Sequence, residues 1–342
     1  MNMRLGLNTG YWSSGPPKGA VEAIALADRL GFEHIWTAEA YGSDALTPLA
    51  WWGSSTTNVK LGTAIMQMSA RTPAATAMAC LTMDHLSGGR FIAGIGASGP
   101  QVVEGWYGQS YSRPLERTRE FVNIMRQIFD RDDTVAFEGK HYQLPFPHGT
   151  GLGKPLKSTV HPLRKDLPIY LAAEGPKNVA LSAEICDGWL PLFFAPKDND
   201  FYKDALQSGM DAGGRNNWDD FEVAATVSMI PGPDVEACAD KIRPMLALYV
   251  GGMGAKGKNF HFDVFARMGY EAECDKIQQL YLSGNKADAI AAVPTEMCEA
   301  ISLIGPPDKI KDEIAMWDES VVNTLLISGP PNLVQFAADI CG

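Results

Sequence analysis

Eight short apolar runs, most of them followed by a stretch of helical spacing, constrain this 342-residue chain more than any other feature. They lie at 3–8, 33–37, 59–66, 90–95, 168–172, 188–192, 221–228 and 322–328. Polar and apolar residues do not alternate within them, which is how parallel strands covered on both faces read. Between the first two, Val21, Ile24, Ala25 and Leu30 recur at helical spacing and stop at Gly31; residues 73–86, 115–129, 178–186 and 308–317 also read as helices. Such alternation predicts an α/β fold, a (β/α)8 TIM barrel, with a doubly wound sheet as the second arrangement. No repeat or linker divides the chain, so residues 1–342 read as one domain. Insertions at about 98–114, 134–165 and 234–293 exceed what a barrel needs, and barrels carry such segments over the mouth. Within the second, 135–138 and 140–143 flank Gly139 in a hairpin pattern.

Charge narrows the function. Lys and Arg number 29 against 40 Asp and Glu, a net −11, which disfavours general nucleic-acid binding. Any phosphate or carboxylate site must therefore be built from local groups. The six cysteines form no Cys-x-x-Cys pair, so neither a zinc site nor a disulfide scaffold is expected, and the six histidines lack metal spacing. No apolar run reaches membrane-spanning length, and no charged-then-apolar leader opens the chain. A cytoplasmic protein acting on a small molecule, with no membrane or nucleic-acid partner, is the expectation.

Four segments carry candidate chemistry, each beside a plainer reading. Gly94, Gly96 and Gly99 match G-x-G-x-x-G after a strand, but residues 100–108 read as a loop where a dinucleotide fold would open a helix. The glycines either turn the chain or line a pocket. Residues 252–259 approach a P-loop, yet Asn259 replaces the Mg²⁺-binding hydroxyl and a helix, not a strand, precedes it; a mobile loop fits better. The turn Ala173-Glu174-Gly175-Pro176-Lys177-Asn178 joins a strand to a helix, where free N–H groups and the helix dipole favour an anion. Lys177 adds charge there, or is simply exposed. Glu39 follows the second strand as a functional or a solvated carboxylate. Trp36, Trp51, Trp52, Trp106 and Tyr107 lie in or near strand-end loops, as pocket walls or as packing.

Taken together, several segments resemble the luciferase-like flavin and deazaflavin oxidoreductases. They are Gly62–Gln67 with Arg71-Thr72-Pro73, Thr82–Phe91, the Gly94–Gly96 strand end, and Ala173–Lys177 with Ala183–Gly188. The last pair is similar to the branch that uses coenzyme F420, including methylenetetrahydromethanopterin reductase. The resemblance implies a barrel holding the deazaflavin at its C-terminal mouth, and a non-prolyl cis peptide that falls here at Ala64-Ile65. Gln67, Ala97 and Ser98 match coenzyme contacts; Glu174, Gly175, Lys177 and Asn178 match a phosphate turn; Glu39 matches a coenzyme-contacting aspartate. The sugar-phosphate dehydrogenase of this branch has a histidine where this chain has Ala40 and a glutamate where it has Gly99, which argues against glucose 6-phosphate as substrate. Glu39 is left as the catalytic candidate for the proton, with Glu104, Tyr107 or water as alternatives. The implied activity is hydride transfer between F420 and a small organic substrate, by a homodimer. An FMN-dependent monooxygenase and a non-catalytic deazaflavin carrier are the alternatives.

Overall fold

The computed structural model describes residues 3–254, 257 and 259–341. Part of the P-loop-like segment, Ala255, Lys256 and Lys258, lies outside the described residues. The barrel strands are β1 Arg4–Asn8, β2 His34–Thr37, β3 Lys60–Thr63, β4 Phe91–Gly96, β5 Ile169–Ala172, β6 Gly188–Leu190, β7 Glu222–Thr226 and β8 Thr324–Ile327. Met66–Gln67 resumes β3 after a break at Ala64-Ile65, the peptide that is cis in this structure. Neighbours pair in parallel around the ring, and β8–β1 and β3–β4 close it. This is the (β/α)8 barrel expected from the apolar runs, and closure excludes the doubly wound sheet.

Two packed layers hold the ring. Trp36, Ile92, Tyr170, Leu190, Ala224 and Leu326 point inward from six strands and fill the interior. A larger core lies between strands and helices; Phe121, Met125 and Phe129 of the helix Pro114–Asp130 are fully buried there. The helix Ala20–Leu30 ends at Gly31 with φ 79°, a left-handed stop that glycine adopts without penalty. Pro73–Ser87 starts at Thr72, whose hydroxyl accepts from the Ala75 N–H.

The insertions depart from expectation in two places. Pro100–Gly105 is a short helix rather than loop. Gly99 is extended before it and Pro100 stands in its first turn, where the missing N–H costs nothing. The hairpin pairs Phe137–Glu138 with Gln143–Leu144, so 140–142 is turn and not strand. The Glu120 carboxylate accepts from the N–H groups of Lys140, His141 and Tyr142 and takes those donors from any ladder. The third insertion is helical and has its own apolar core around Leu246, Phe265 and Ile277. It leaves and rejoins the barrel on a parallel ribbon, Ser228–Pro231 with Ser302–Gly305, that the sequence reading did not anticipate.

Candidate functional site

The ends of β2 to β5 stand side by side, because register places Gly62 beside Trp36 and Ile92, and Ile95 beside Leu171. Glu39, Ala64, Ile65, Gln67, Ala97, Ser98, Ala173, Glu174, Gly175 and Asn178 therefore share one rim of the barrel.

Glu39 is 5% exposed and is fixed from both sides. Arg71 Nη1 donates to Oε1 at 3.1 Å and to Oε2 at 2.8 Å, and the Gln67 N–H donates to Oε2 at 3.0 Å. The Gln67 side-chain NH₂ donates to the carbonyls of Glu39 and Ala40 at 3.2 and 3.1 Å. Both acceptors are carbonyl oxygens, so the amide cannot be reversed. Its Oε1 is left buried with no partner. The loop after β2 is thus tied to the resumed β3.

The G-x-G at the end of β4 is a packing requirement. A Cβ on Gly94 would lie 1.7 Å from the Thr63 carbonyl oxygen, and one on Gly96 would lie 3.0 Å from Ile65 Cδ1. The break in β3 presses onto β4: at Gly94 only glycine leaves room for the Thr63 carbonyl, while at Gly96 the close neighbour is the end of the Ile65 side chain. Ser98 follows with φ 59°, rare for a side-chain-bearing residue and often a mark of a functional turn.

At the end of β5, Gly175 is extended and Pro176 opens the helix Pro176–Ile185, with no side chain capping it. Asn178 Oδ1 is buried without a partner. Lys177 is exposed and lines an outer groove of about 480 Å³ with Arg119, Glu116 and Glu184, away from the other turn residues.

Several groups at this end carry no signal that sequence reasoning used. His261 is 7% exposed, and its Nδ1 approaches Glu174 Oε2 to 2.8 Å, although not aligned as a hydrogen bond. Phe193, Tyr249 and Phe260 surround its ring. Asn259, noticed only as a failed P-loop residue, positions it: Asn259 Oδ1 accepts from the His261 and Phe262 N–H groups, and Nδ2 donates to the carbonyls of Tyr249 and Val250. An asparagine ahead of an apolar helix is an N-cap pattern that could have been read. Arg267 donates to the Glu174 carbonyl at 3.1 Å. Tyr11 exposes 54% of its surface, yet burial pushes its hydroxyl pKa up. Burial also raises Tyr249 and Tyr111, with Glu174 adding to both, so all stay protonated donors at neutral pH. The tryptophans do not gather: Trp36 is inside the barrel, Trp52 packs on Trp12, and Trp51 and Trp106 are exposed. No cluster of metal-ligating side chains occurs among the described residues.

A closed parallel barrel with unpartnered acceptors along its strand ends is the frame of a barrel enzyme that holds a polar ligand at its mouth. The chain belongs to the luciferase-like monooxygenase family, whose model matches residues 4–324. It is 50% identical over 329 residues, 95% of each chain, to a Mycobacterium tuberculosis protein named "Putative coenzyme F420-dependent oxidoreductase". It is 29% identical over 313 residues to the 5,10-methylenetetrahydromethanopterin reductase of Archaeoglobus fulgidus, covering 90% of this chain and 88% of the other. In fold it resembles the coenzyme F420 dependent tetrahydromethanopterin reductase of Methanopyrus kandleri, with a TM-score of 0.81, 22% identity, and 99% and 98% of the two chains covered.

Proposed function

We propose that the protein is a coenzyme F420-dependent oxidoreductase. It moves a hydride between the deazaflavin and a small organic substrate, at a carbonyl, an alcohol or an activated double bond. The observation that carries this is the 50% identity, over 95% of both chains, to the M. tuberculosis protein named for F420. The mouth fits such a group: Gln67 Oε1 and Asn178 Oδ1 are buried acceptors without donors, and the coenzyme's ring N–H and side-chain hydroxyls are donors. When bound, the coenzyme supplies two-electron hydride chemistry, and the protein supplies orientation and electrostatics.

In this reading Ala64 and Ile65 back the ring, while Gln67, Ala97 and Ser98 contact its polar edge. Ala173, Glu174, Gly175 and Asn178 hold the phosphate, and exposed Lys177 reaches it only along its flexible stem. Asn178→Ala should weaken F420 binding about tenfold, the size of one lost hydrogen bond donated by its Nδ2 to the charged phosphate. Lys177→Ala should cost only a fewfold; titration of both variants checks the order, and a larger loss at Lys177 would reverse the assignment. Glu39 is the catalytic candidate. Its oxygens accept from Arg71 and Gln67, so it offers charge first and takes a proton only by leaving Arg71. If Glu39 handles the proton, Glu39→Gln removes the acidic limb of the kcat/KM–pH profile. A profile of unchanged shape with weakened coenzyme binding makes it a positioning residue.

The decisive experiment is a paired titration with F420 and FMN at equal salt. Micromolar or tighter binding of F420 alone is expected; preference for FMN overturns the proposal. No described helix is long and apolar enough to cross a membrane. A homodimer is part of the proposal and is checked by sedimentation equilibrium.

A further inference from the structure

Beside the mouth, a cleft of about 250 Å³ opens between the segment 68–72, which follows β3, and the start of the helix Pro114–Asp130. Ala97 at the end of β4 lines it, so it is continuous with the rim described above. It is smaller than the roughly 300–1,000 Å³ of a pocket for a whole ligand. It admits a substituent, not a tricyclic ring.

Its polar lining is one-sided. Arg71 and Arg117 face it with Ser69, Tyr111 and Tyr142, and no Asp or Glu is among the lining residues. In a chain of net charge −11 that is an unusual composition. On the same helix, Arg113 pairs with Glu116 and Arg119 pairs with Glu184. Arg117 lies over the Tyr142 ring at 5.9 Å, is paired with no carboxylate among the described residues, and keeps its Nε buried with no acceptor. Ser69 Oγ is likewise buried and unpartnered. No side chain caps the N-terminus of the 17-residue helix that opens here, so its dipole adds to the positive potential. A guanidinium left without an acid, a buried hydroxyl left without a partner and a cleft free of carboxylates share one missing component, an anion.

We propose that this cleft is an anion subsite that receives a carboxylate or phosphate group of a ligand bound in the mouth. Arg117 makes the charged hydrogen bonds, with Ser69 Oγ as a further donor. Arg71, already shared with Glu39, supplies charge from the mouth side. The ligand's identity rests on the reading above: the group belongs either to the anionic side chain of the coenzyme or to an acidic substrate.

The test uses the full chain, with inorganic phosphate and succinate as probes, followed by calorimetry and thermal shift. Wild type should bind one or both probes, and Arg117→Ala should lose about tenfold or more of that affinity. Arg117→Lys, which keeps the charge but not the fork, should fall between. F420 and its chromophore lacking the phosphate and acidic chain then separate the sources. A loss in Arg117→Ala for F420 alone assigns the subsite to the coenzyme. Unchanged F420 affinity, with succinate bound by the F420-loaded protein and lost in the variant, assigns it to the substrate. If a folded Arg117→Ala binds phosphate, succinate and F420 as wild type does, the proposal is overturned. Should Arg117→Ala not fold, the same readouts on Ser69→Ala decide in the same way. A wild type that prefers FMN, yet loses phosphate or succinate binding in the variant, sinks the coenzyme reading and leaves the subsite standing.

Discussion

Gly94→Ala is expected to destabilise the barrel by about 3 kcal/mol, the upper end of ordinary overpacking. The added methyl would lie 1.7 Å from the Thr63 carbonyl oxygen, a backbone atom that no rotamer change can move aside. Thr63 also ties the two strands, since its hydroxyl donates to the Gly94 carbonyl at 2.8 Å and accepts from the Gly94 N–H at 3.0 Å. Urea unfolding followed by far-UV circular dichroism measures the loss. Gly96→Ala meets only the end of the Ile65 side chain, so it should cost less stability and act mainly on coenzyme affinity. Gly175→Ala meets nothing within 4 Å and has an ordinary φ of −77°, so its stability should stay near wild type. A Gly94→Ala protein that unfolds with wild-type midpoint and slope would falsify the account of the β3–β4 contact.

Glu222→Ala should cost about 3–5 kcal/mol, the usual consequence of removing one partner from a buried charged network. Glu222 is 8% exposed at the start of β7, at the end of the barrel away from the mouth. Tyr170 OH donates to Oε2 at 2.6 Å and Thr324 Oγ1 donates to Oε1 at 2.5 Å. Arg4 and His34 approach at 3.2 and 3.4 Å. Deleting the carboxylate leaves Tyr170 and Thr324 without their acceptor and removes the negative charge beside Arg4 and His34. Burial pushes the Glu222 pKa up, but His34 and Arg4 beside it and the hydrogen bond from Thr324 outweigh it and hold the carboxyl well below its ordinary 4.5. A carboxyl depressed in the folded state stabilises above its unfolded pKa, and that stability fades as pH falls below it. Wild type should therefore lose stability on acidification from about pH 4.3, the unfolded value for Glu. Glu222→Gln should flatten that limb. Denaturant midpoints measured from pH 7 to pH 3 decide, and parallel curves for the two proteins would remove Glu222 from the acid response.

Strand positions were legible because burial on both faces writes itself into neighbouring residues. All eight runs became barrel strands, and Gly31 and Pro176 marked helix ends by local chemistry. The hairpin at 137–144 was misread in detail because Glu120, distant in sequence, takes its backbone donors. The G-x-G was legible as a strand end, but its reason, the approach of Thr63 and Ile65, was not. Arg71 stood in a recognised phrase without a role, and its bond to Glu39 spans 32 residues.

The sequence by itself determined the α/β alternation, the acidic surface and the rim segments, since each depends on residues close together in the chain. Only the tertiary structure decided how those segments are used. Closure of the ring brings β3 onto β4 and makes Gly94 obligatory. Packing of the third insertion sets His261 against Glu174 across 87 positions of sequence. Packing of the segment after β3 against the helix Pro114–Asp130 leaves Arg117 without an acid while its helix neighbours are paired. Charge pairing and steric contact act through space over a few ångströms, and no local pattern in the chain records which distant residue will stand there.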